Sequence, residues 1–354
     1  MSDQTDEELT AVRSPATFSV RLANLVRREH AQGRRAGPAH WLQLSRFSGV
    51  YLWIATIVFF AVTVPETFLT GTTAKGILGD QAITAIVSLG VLVALNAGMF
   101  DLSIGQNLGF SAILVGWLTV KAGVNPALAV VITVGVGALI GAANAVLVVR
   151  VGIDSFIATL GTSSILLAVT QIVSDQQFIG PVPTALQSFT NWQLLGVSAY
   201  IFYALVLALV GWVALEHTAA GRRSAATGAN REAAHLVGIA TARHQVITLV
   251  VCACLASIGG VVVAGKTGSV SPTVGPEYIL PCFAACFLSA TQFKPGRFNV
   301  WGMVLALLLL GTGSAGLRLL GGQGWVANMF TGVALIVAVG FAVVSQRRRV
   351  GARI

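Results

Sequence analysis

Charge is what this chain lacks most. Asp, Glu, Lys and Arg supply 10% of its 354 residues while hydrophobic residues supply 55%, and mean hydropathy is +0.81. A soluble domain carries about 25% charged residues, so a water-soluble fold is excluded and a polytopic, all-α membrane protein is expected. Cysteine is also scarce. Cys252, Cys254, Cys282 and Cys286 all fall within apolar runs without His or carboxylate company at the same depth. They read as small apolar helix residues, with no metal site and no structural disulfide implied. The first 48 residues contain no apolar core, so no cleavable signal peptide is expected.

Acids are scarcer than bases, and none follows Glu277. That absence removes two letter-perfect motifs. Gly311-x-Gly313-x-x-Gly316 spells a dinucleotide fingerprint, which needs an acid about 20 residues later to hold the ribose. Glycines in a membrane helix more often let helices approach closely. Gly260-Val-Val-Val-Ala-Gly265-Lys266-Thr267 spells a phosphate loop, which needs a preceding strand, a following helix and a carboxylate for magnesium, and the one acid downstream is Glu277. Here it ends an apolar run. Leu319-Leu-Gly-Gly-Gln323 has the look of an ATPase signature loop without a nucleotide domain around it. No nucleotide site is expected in this chain. Buried carboxylate or His relays are missing too, which argues against proton-driven transport and against a membrane-embedded acid–base enzyme.

What is present is a series of apolar runs. A helix crossing a ~30 Å hydrocarbon core needs about 20 residues, and ten segments are expected: 50–68, 77–98, 104–120, 126–149, 154–174, 198–215, 243–264, 277–290, 300–318 and 325–344. The third and eighth are short and flanked by Gly and polar residues, as broken or partly inserted helices inside a bundle are. With the N-terminus inside, eighteen of the 22 Lys and Arg fall on the inner side, and only Lys75, Lys121, Lys266 and Arg318 fall outside. The net charge of +9 is therefore topological and not a sign of nucleic-acid binding. The chain divides into a basic cytoplasmic tail (1–48), a transmembrane domain (49–345) with an inner loop at 216–243, and a basic cytoplasmic tail (346–354). In the first tail Phe18, Leu22, Leu25 and Val26 recur at helical spacing among Arg21, Arg27 and Arg28, fitting either a helix lying on the inner leaflet or a solvated tail.

The 216–243 loop is the longest polar interruption after the N-terminal tail. Composition alone reads it as an ordinary basic loop. Within it, Asn230 is a good N-cap, Glu232 falls in the first turn and Gly238 sits where a helix of about two turns stops. So short a helix does not hold together alone, which implies a partner. Ala233 and Ala234 offer a smooth face for it, rimmed by Arg222, Arg223, Arg231 and His235. Among the membrane segments, Asp101 is the nearest to an intramembrane charge. With Ser103 it is expected to cap the following helix, Gly105 allowing a sharp turn and Asn107 following. Asn96, Asn144, Thr159, Ser163, Ser164 and Gln171 are neutral hydrogen-bonding groups that fit two readings equally, a path for a polar neutral solute or bridges between helices.

Four stretches resemble the permease subunits of bacterial ABC importers of the ribose, xylose and galactoside type. Asp101 to Gly105, DLSIG, resembles that family's DLSVG. Asp154 to Thr162, DSFIATLGT, resembles its PxFIATLGT with Asp154 where Pro is usual. Gly228 to Ile239, GANREAAHLVGI, resembles its GxNxEAAxxxGI coupling segment. Gly332 and the apolar run to Ala338 resemble the close of its last helix. Met99-Phe100 stands where the family has a glycine pair, and Ser289 to Phe298 departs from its GGTSLxGGxG. The resemblance spans about residues 50–345. It implies a type II importer permease of about ten helices in the bacterial inner membrane, both termini cytoplasmic, working as a homodimer or with a sister permease. It further implies a cytoplasmic ATPase, which would hold the ATP and magnesium, and an extracytoplasmic binding protein that delivers a monosaccharide or similar neutral solute. No cofactor belongs to this chain and no bond is made in it. Gly228, Asn230, Arg231, Glu232, Ala233, Ala234, Gly238 and Ile239 would meet the ATPase. Asn96, Asp101, Ser103, Asn107, Asn144, Thr159, Ser163 and Gln171 would line the path or gate. A permease for branched-chain amino acids is the nearest alternative, and a secondary transporter a more distant one.

Overall fold

The computed structural model describes residues 44–294 and 296–351. The helical spacing expected at residues 18–26 lies outside the described residues. The chain divides into two units, residues 1–47 and 48–354, and the membrane helices belong to the second.

Helices dominate this second unit. Besides a single turn at Pro65–Phe68, they are in chain order α1 (Leu44–Thr63), which begins in the first unit, α2 (Gly71–Asn96), α3 (Ile104–Val120), α4 (Pro126–Ala145), α5 (Ser155–Ser174), α6 (Thr184–Asn191), α7 (Ala199–Trp212), α8 (Ala219–Ala229), α9 (Arg231–Leu236), α10 (Thr241–Thr267), α11 (Ile279–Ser289), α12 (Val300–Leu319) and α13 (Gly324–Gly351). α4 and α7 each run on into a π-helical turn, Val146–Val151 and Val213–His217, which the sequence reading missed. A small hairpin pairs Gln193–Leu194 with Val197–Ser198.

Short polar side chains fix many of the starts. Thr70 accepts from the Thr73 N–H (3.2 Å) before α2. Asn125 accepts from Ala127 N–H (2.9 Å) before α4, with Pro126 in the first turn. Asp154 accepts from Phe156 N–H (2.9 Å) before α5, and Asn299 from Gly302 N–H (2.7 Å) before α12. Each satisfies a donor that the first helical turn leaves without an internal partner.

Among the described residues, six stretches are long and apolar enough to cross a membrane: α2, α4 and α7 with their π-helical ends where present, α5, α10 and α12. Shorter apolar helices lie at Gly49–Thr63, Ile104–Val120 and Gly324–Val337. Length and composition therefore support six crossings directly, fewer than the ten expected.

Burial sorts these helices into a centre and a sheath. The apolar windows of α2, α10 and α12 are each 67% buried, against 28% for α4, 22% for α5 and 28% for α7. At the centre, α3 is enclosed on nearly every side, with only Leu114, Trp117 and Val120 outside its buried set. Its 17 residues span about 25 Å at 1.5 Å each, short of the hydrocarbon thickness. α10 packs against α2, α3 and α4, and Gly260 lets it do so: a Cβ there would stand 2.4 Å from Leu108 O and 2.9 Å from Ala112 N.

The same close packing explains the fingerprint-like glycines of α12. A Cβ at Gly311, Gly313 or Gly316 would meet the side chains of Gln81, Phe330 and Phe60 at 2.6, 2.4 and 2.4 Å. The phosphate-loop letters at 260–267 lie inside the continuous helix α10. Three of the four cysteines are buried among the helices, where the Cys286 thiol points at Ser88 O (3.3 Å) and the Cys282 thiol at Thr84 O (3.6 Å).

Candidate functional site

Where one small helix was expected in the 216–243 loop, two stand end to end. α8 begins at Thr218, whose Oγ1 accepts from Gly221 N–H (3.2 Å). It ends at Asn230, and the same residue starts α9, with Oδ1 accepting from Ala233 N–H (2.9 Å). Glu232 lies in the first turn of α9. At the far end Gly238 adopts φ +83°, the left-handed geometry that costs glycine nothing, and Ile239 N–H donates to Ala234 O (3.0 Å). α8 escaped the sequence reading because its Gly, Ala, Ser and Arg residues carry no strong apolar stripe.

The outer face of α9 differs from the one expected. Ala234 is only 5% exposed and faces the rest of the chain, so the Ala233–Ala234 pair is not a free docking surface. Arg231, Glu232, Ala233 and His235 are exposed and Ile239 is half-buried. The apolar surface on offer is instead Leu236 and Val237, 87% and 77% exposed. Their signal in the sequence is two aliphatic residues placed just before the helix-ending glycine. A six-residue helix showing two aliphatic side chains to water gains nothing from them alone.

α8 leads from this surface to the centre of the bundle. At Gly228 its backbone lies against the stretch joining α2 to α3: a Cβ there would be 2.5 Å from Asn96 O, 2.8 Å from Gly98 N and 3.0 Å from Ala97 C. All three are backbone atoms and have no rotamer by which to yield.

That connecting stretch is in turn tied to the sheath. Phe100 N–H donates to Ser155 Oγ (3.1 Å) and Leu102 N–H to Thr159 Oγ1 (3.0 Å), both on α5. Asp101, 2% exposed, accepts through one carboxylate oxygen from Ser103 N–H (2.9 Å) and from Ser103 Oγ (2.5 Å). Its second oxygen has no partner among the described residues, and the Cys252 thiol of α10 faces the carboxyl. Asn144 Nδ2 of α4 donates to Ser103 Oγ (2.9 Å), and Thr162 of α5 donates to Asn144 Oδ1 (2.6 Å). An unbroken relay of hydrogen bonds thus runs from the start of α3 through α4 to α5.

Two sequence expectations change here. Asp101 does accept from the backbone ahead of α3, but Ser103 spends its hydroxyl on Asp101 and caps nothing. Gly105 makes no turn; it lies within α3, where a Cβ would stand 2.8 Å from Gly275 O.

Of the residues expected along a path, five are buried bridges: Asp101, Ser103 and Asn144 in this relay, Thr159 on the Leu102 backbone, and Asn107. Asn107 Nδ2 donates to Ala253 O of α10 (3.1 Å), beside a Ser111–Ser257 hydrogen bond of 2.9 Å. Ser163 and Gln171 lie half-buried on α5, and Asn96 half-buried at the end of α2. Asn96 lines a cavity with Arg222, Lys294 and Arg297, beside the ion pair between Lys294 and Glu216. At the other end of α10, Lys266 pairs with Asp80 (2.9 Å), with Arg318 at 3.9 Å from the same carboxylate.

The sequence profile of the family described as branched-chain amino acid transport system / permease component matches residues 73–339. The chain is 29% identical over 293 residues to the D-allose transport system permease protein AlsC of Escherichia coli K12, covering 82% of this chain and 90% of that protein. It is 29% identical to the ribose import permease protein RbsC of Bacillus subtilis, covering 82% and 91%. With the fructose import permease protein FrcC of Rhizobium meliloti it shares 32% identity over 295 residues, covering 81% and 82%. No solved structure is matched.

Proposed function

The chain belongs to the family of branched-chain amino acid transport system / permease components, and from that membership we propose that it is the membrane permease of an ATP-driven importer of a monosaccharide or similar small neutral solute. Relatives named for allose, ribose and fructose favour a sugar over a branched-chain amino acid. An extracytoplasmic binding protein delivers the solute, and a second copy or a sister permease completes the pore. The protein lies in the bacterial inner membrane with both termini, α8 and α9 on the cytoplasmic side, where the Lys and Arg excess belongs. A cytoplasmic ATPase holds the nucleotide and magnesium and grips α9.

The observation that carries this reading is the exposed Leu236–Val237 pair on a capped helix too short to justify itself. Around it, Gly228, Asn230, Arg231, Glu232, Gly238 and Ile239 shape or rim the grip, and Ala234 seats the helix on its own chain. Closure of the ATPase moves α9, and α8 passes the movement to residues 96–98. The relay through Asp101, Ser103, Asn144 and Thr162, with Thr159 holding Leu102, then carries α5 and α4 with it, a rigid-body exchange between inward and outward access. Solute passes by the half-buried groups Ser163 and Gln171, Asn96 stands beside the joint at the inner end of α2, and Asn107 holds α3 to α10 at the gate.

The test is reconstitution in proteoliposomes with the ATPase and a loaded binding protein. Uptake should need ATP and survive an uncoupler, and Leu236→Asp with Val237→Asp should abolish solute-stimulated hydrolysis while the chain still inserts. Uptake that collapses with the uncoupler at constant ATP, and proceeds without the binding protein, makes this a secondary transporter instead.

A further inference from the structure

Two chambers, one apolar and one of mixed lining with basic side chains, meet at the inner end of α7. One, of about 590 Å³, opens between that end and the start of α12 and is walled by Trp212, Trp301, Val304, Leu305 and Leu308. The other, of about 600 Å³, lies between α8 and the segment joining α11 to α12, and carries Arg222, Arg297 and Asn96. Glu216 and Lys294 line both.

We propose that the joined chambers bind one anionic phospholipid of the inner leaflet, its acyl chain along the Trp212–Trp301 groove and its phosphate between Arg222 and Arg297. Charge complementarity is the first argument. Lys294 already has Glu216 as its ion-pair partner, whereas Arg222 and Arg297 are exposed and have no ion-pair partner among the described residues. The basic chamber therefore keeps two surplus positive charges, on guanidinium groups suited to two-pronged phosphate contacts. Basic side chains clustered just beyond a membrane helix are what anionic headgroups attract.

Shape is the second. The groove is apolar and lies on α7, a sheath helix only 28% buried. Its two indoles, centroids 6.1 Å apart, lie at the end of α7 and in the first turn of α12, and tryptophan at the ends of membrane helices favours the lipid boundary. A free phosphate would use one chamber and a neutral lipid the other. Only a molecule with an anionic head and an apolar tail fills both, and it would touch α7, α8 and the α11–α12 segment together.

The assignment of the inner leaflet rests on the orientation proposed above. Binding in detergent does not, so the two ideas fail separately. The experiment titrates the purified full-length chain in neutral detergent with phosphatidylglycerol, phosphatidylcholine and inorganic phosphate, read by native mass spectrometry. Tryptophan quenching by chain-brominated phosphatidylglycerol is measured alongside. Each basic side chain near such a headgroup contributes about fivefold in affinity. Arg222→Gln with Arg297→Gln should therefore weaken phosphatidylglycerol by roughly thirtyfold and leave phosphatidylcholine unchanged, Arg222→Lys with Arg297→Lys should restore most of the preference, and Trp301→Leu should reduce quenching. Equal affinity for the two lipids, or a preference that survives the double glutamine variant, overturns the proposal. So does displacement of the lipid by millimolar phosphate, which would mark a free-anion site, or quenching indifferent to Trp301, which would mean a second copy covers the groove.

Discussion

Adding one methyl group at Gly228 tests the mechanical reading most sharply. In Gly228→Ala the new Cβ would stand 2.5 Å from Asn96 O, whereas ordinary contact begins near 3.4 Å, so α8 and the 96–98 backbone must separate by about 0.9 Å. Overpacking of this kind costs about 1–3 kcal/mol. Spread evenly over both access states it would only lower stability. In the proposed mechanism, however, the contact is the joint through which α8 moves residues 96–98, and strain of that size on one of two interchanging states shifts their ratio by roughly 5- to 150-fold. The assay is sugar uptake by proteoliposomes containing the full transporter, with ATP hydrolysis measured in parallel and insertion checked by thermal unfolding. Hydrolysis should persist while uptake per ATP falls at least about fivefold. Gly161→Ala is the control, since nothing lies within 4 Å of its Cβ, and it should transport normally. Undiminished uptake per ATP in Gly228→Ala would show that force reaches the membrane helices by another route.

Three further outcomes are expected. Asn144→Ala removes the middle of the relay and with it two hydrogen bonds, while the Thr162 hydroxyl falls back on Ala158 O (3.1 Å); at about 0.5–1.5 kcal/mol each, thermal or denaturant unfolding should show a loss of about 1–3 kcal/mol, and an unchanged midpoint would mean the relay carries no weight. Asp154→Ala deletes the cap of α5 and should cost about 0.5–2 kcal/mol by the same measurement, with Asp154→Ser recovering most of it. Glu216→Gln breaks the pair with Lys294, but the lysine is 49% exposed, so stability should move by at most about 1 kcal/mol. A larger fall would show that this pair does more than a surface ion pair can.

What was legible in the sequence tracks the range of the forces involved. α9 could be read because its chemistry is local: an asparagine cap, an acid in the first turn and a glycine stop lie within nine positions of one another. The apolar runs were legible for the same reason: the ends expected at 104–120, 154–174 and 300–318 fall within one residue of the observed ones, whereas the first run, expected at 50–68, forms Leu44–Thr63 and the second, expected at 77–98, begins at Gly71. The role of Asn144 was not. Its partners lie 41 and 18 positions away, and a buried amide that bridges helices has the same letters as one that lines a pore. Ala234 misled because a small residue suits an external socket and an internal contact alike, and only burial tells them apart. Gly228 matched a family pattern, but its reason, a backbone pressed on another backbone, exists only after folding.

Asn230 has a consequence of its own. One residue closes α8 and opens α9, so the knee between them has no slack. A tilt given to the shorter rod must reappear in the longer one within a single peptide unit. Two or three glycines inserted after Ala229 would leave both rods folded and the grip intact, yet the engine would turn with its crankshaft disconnected.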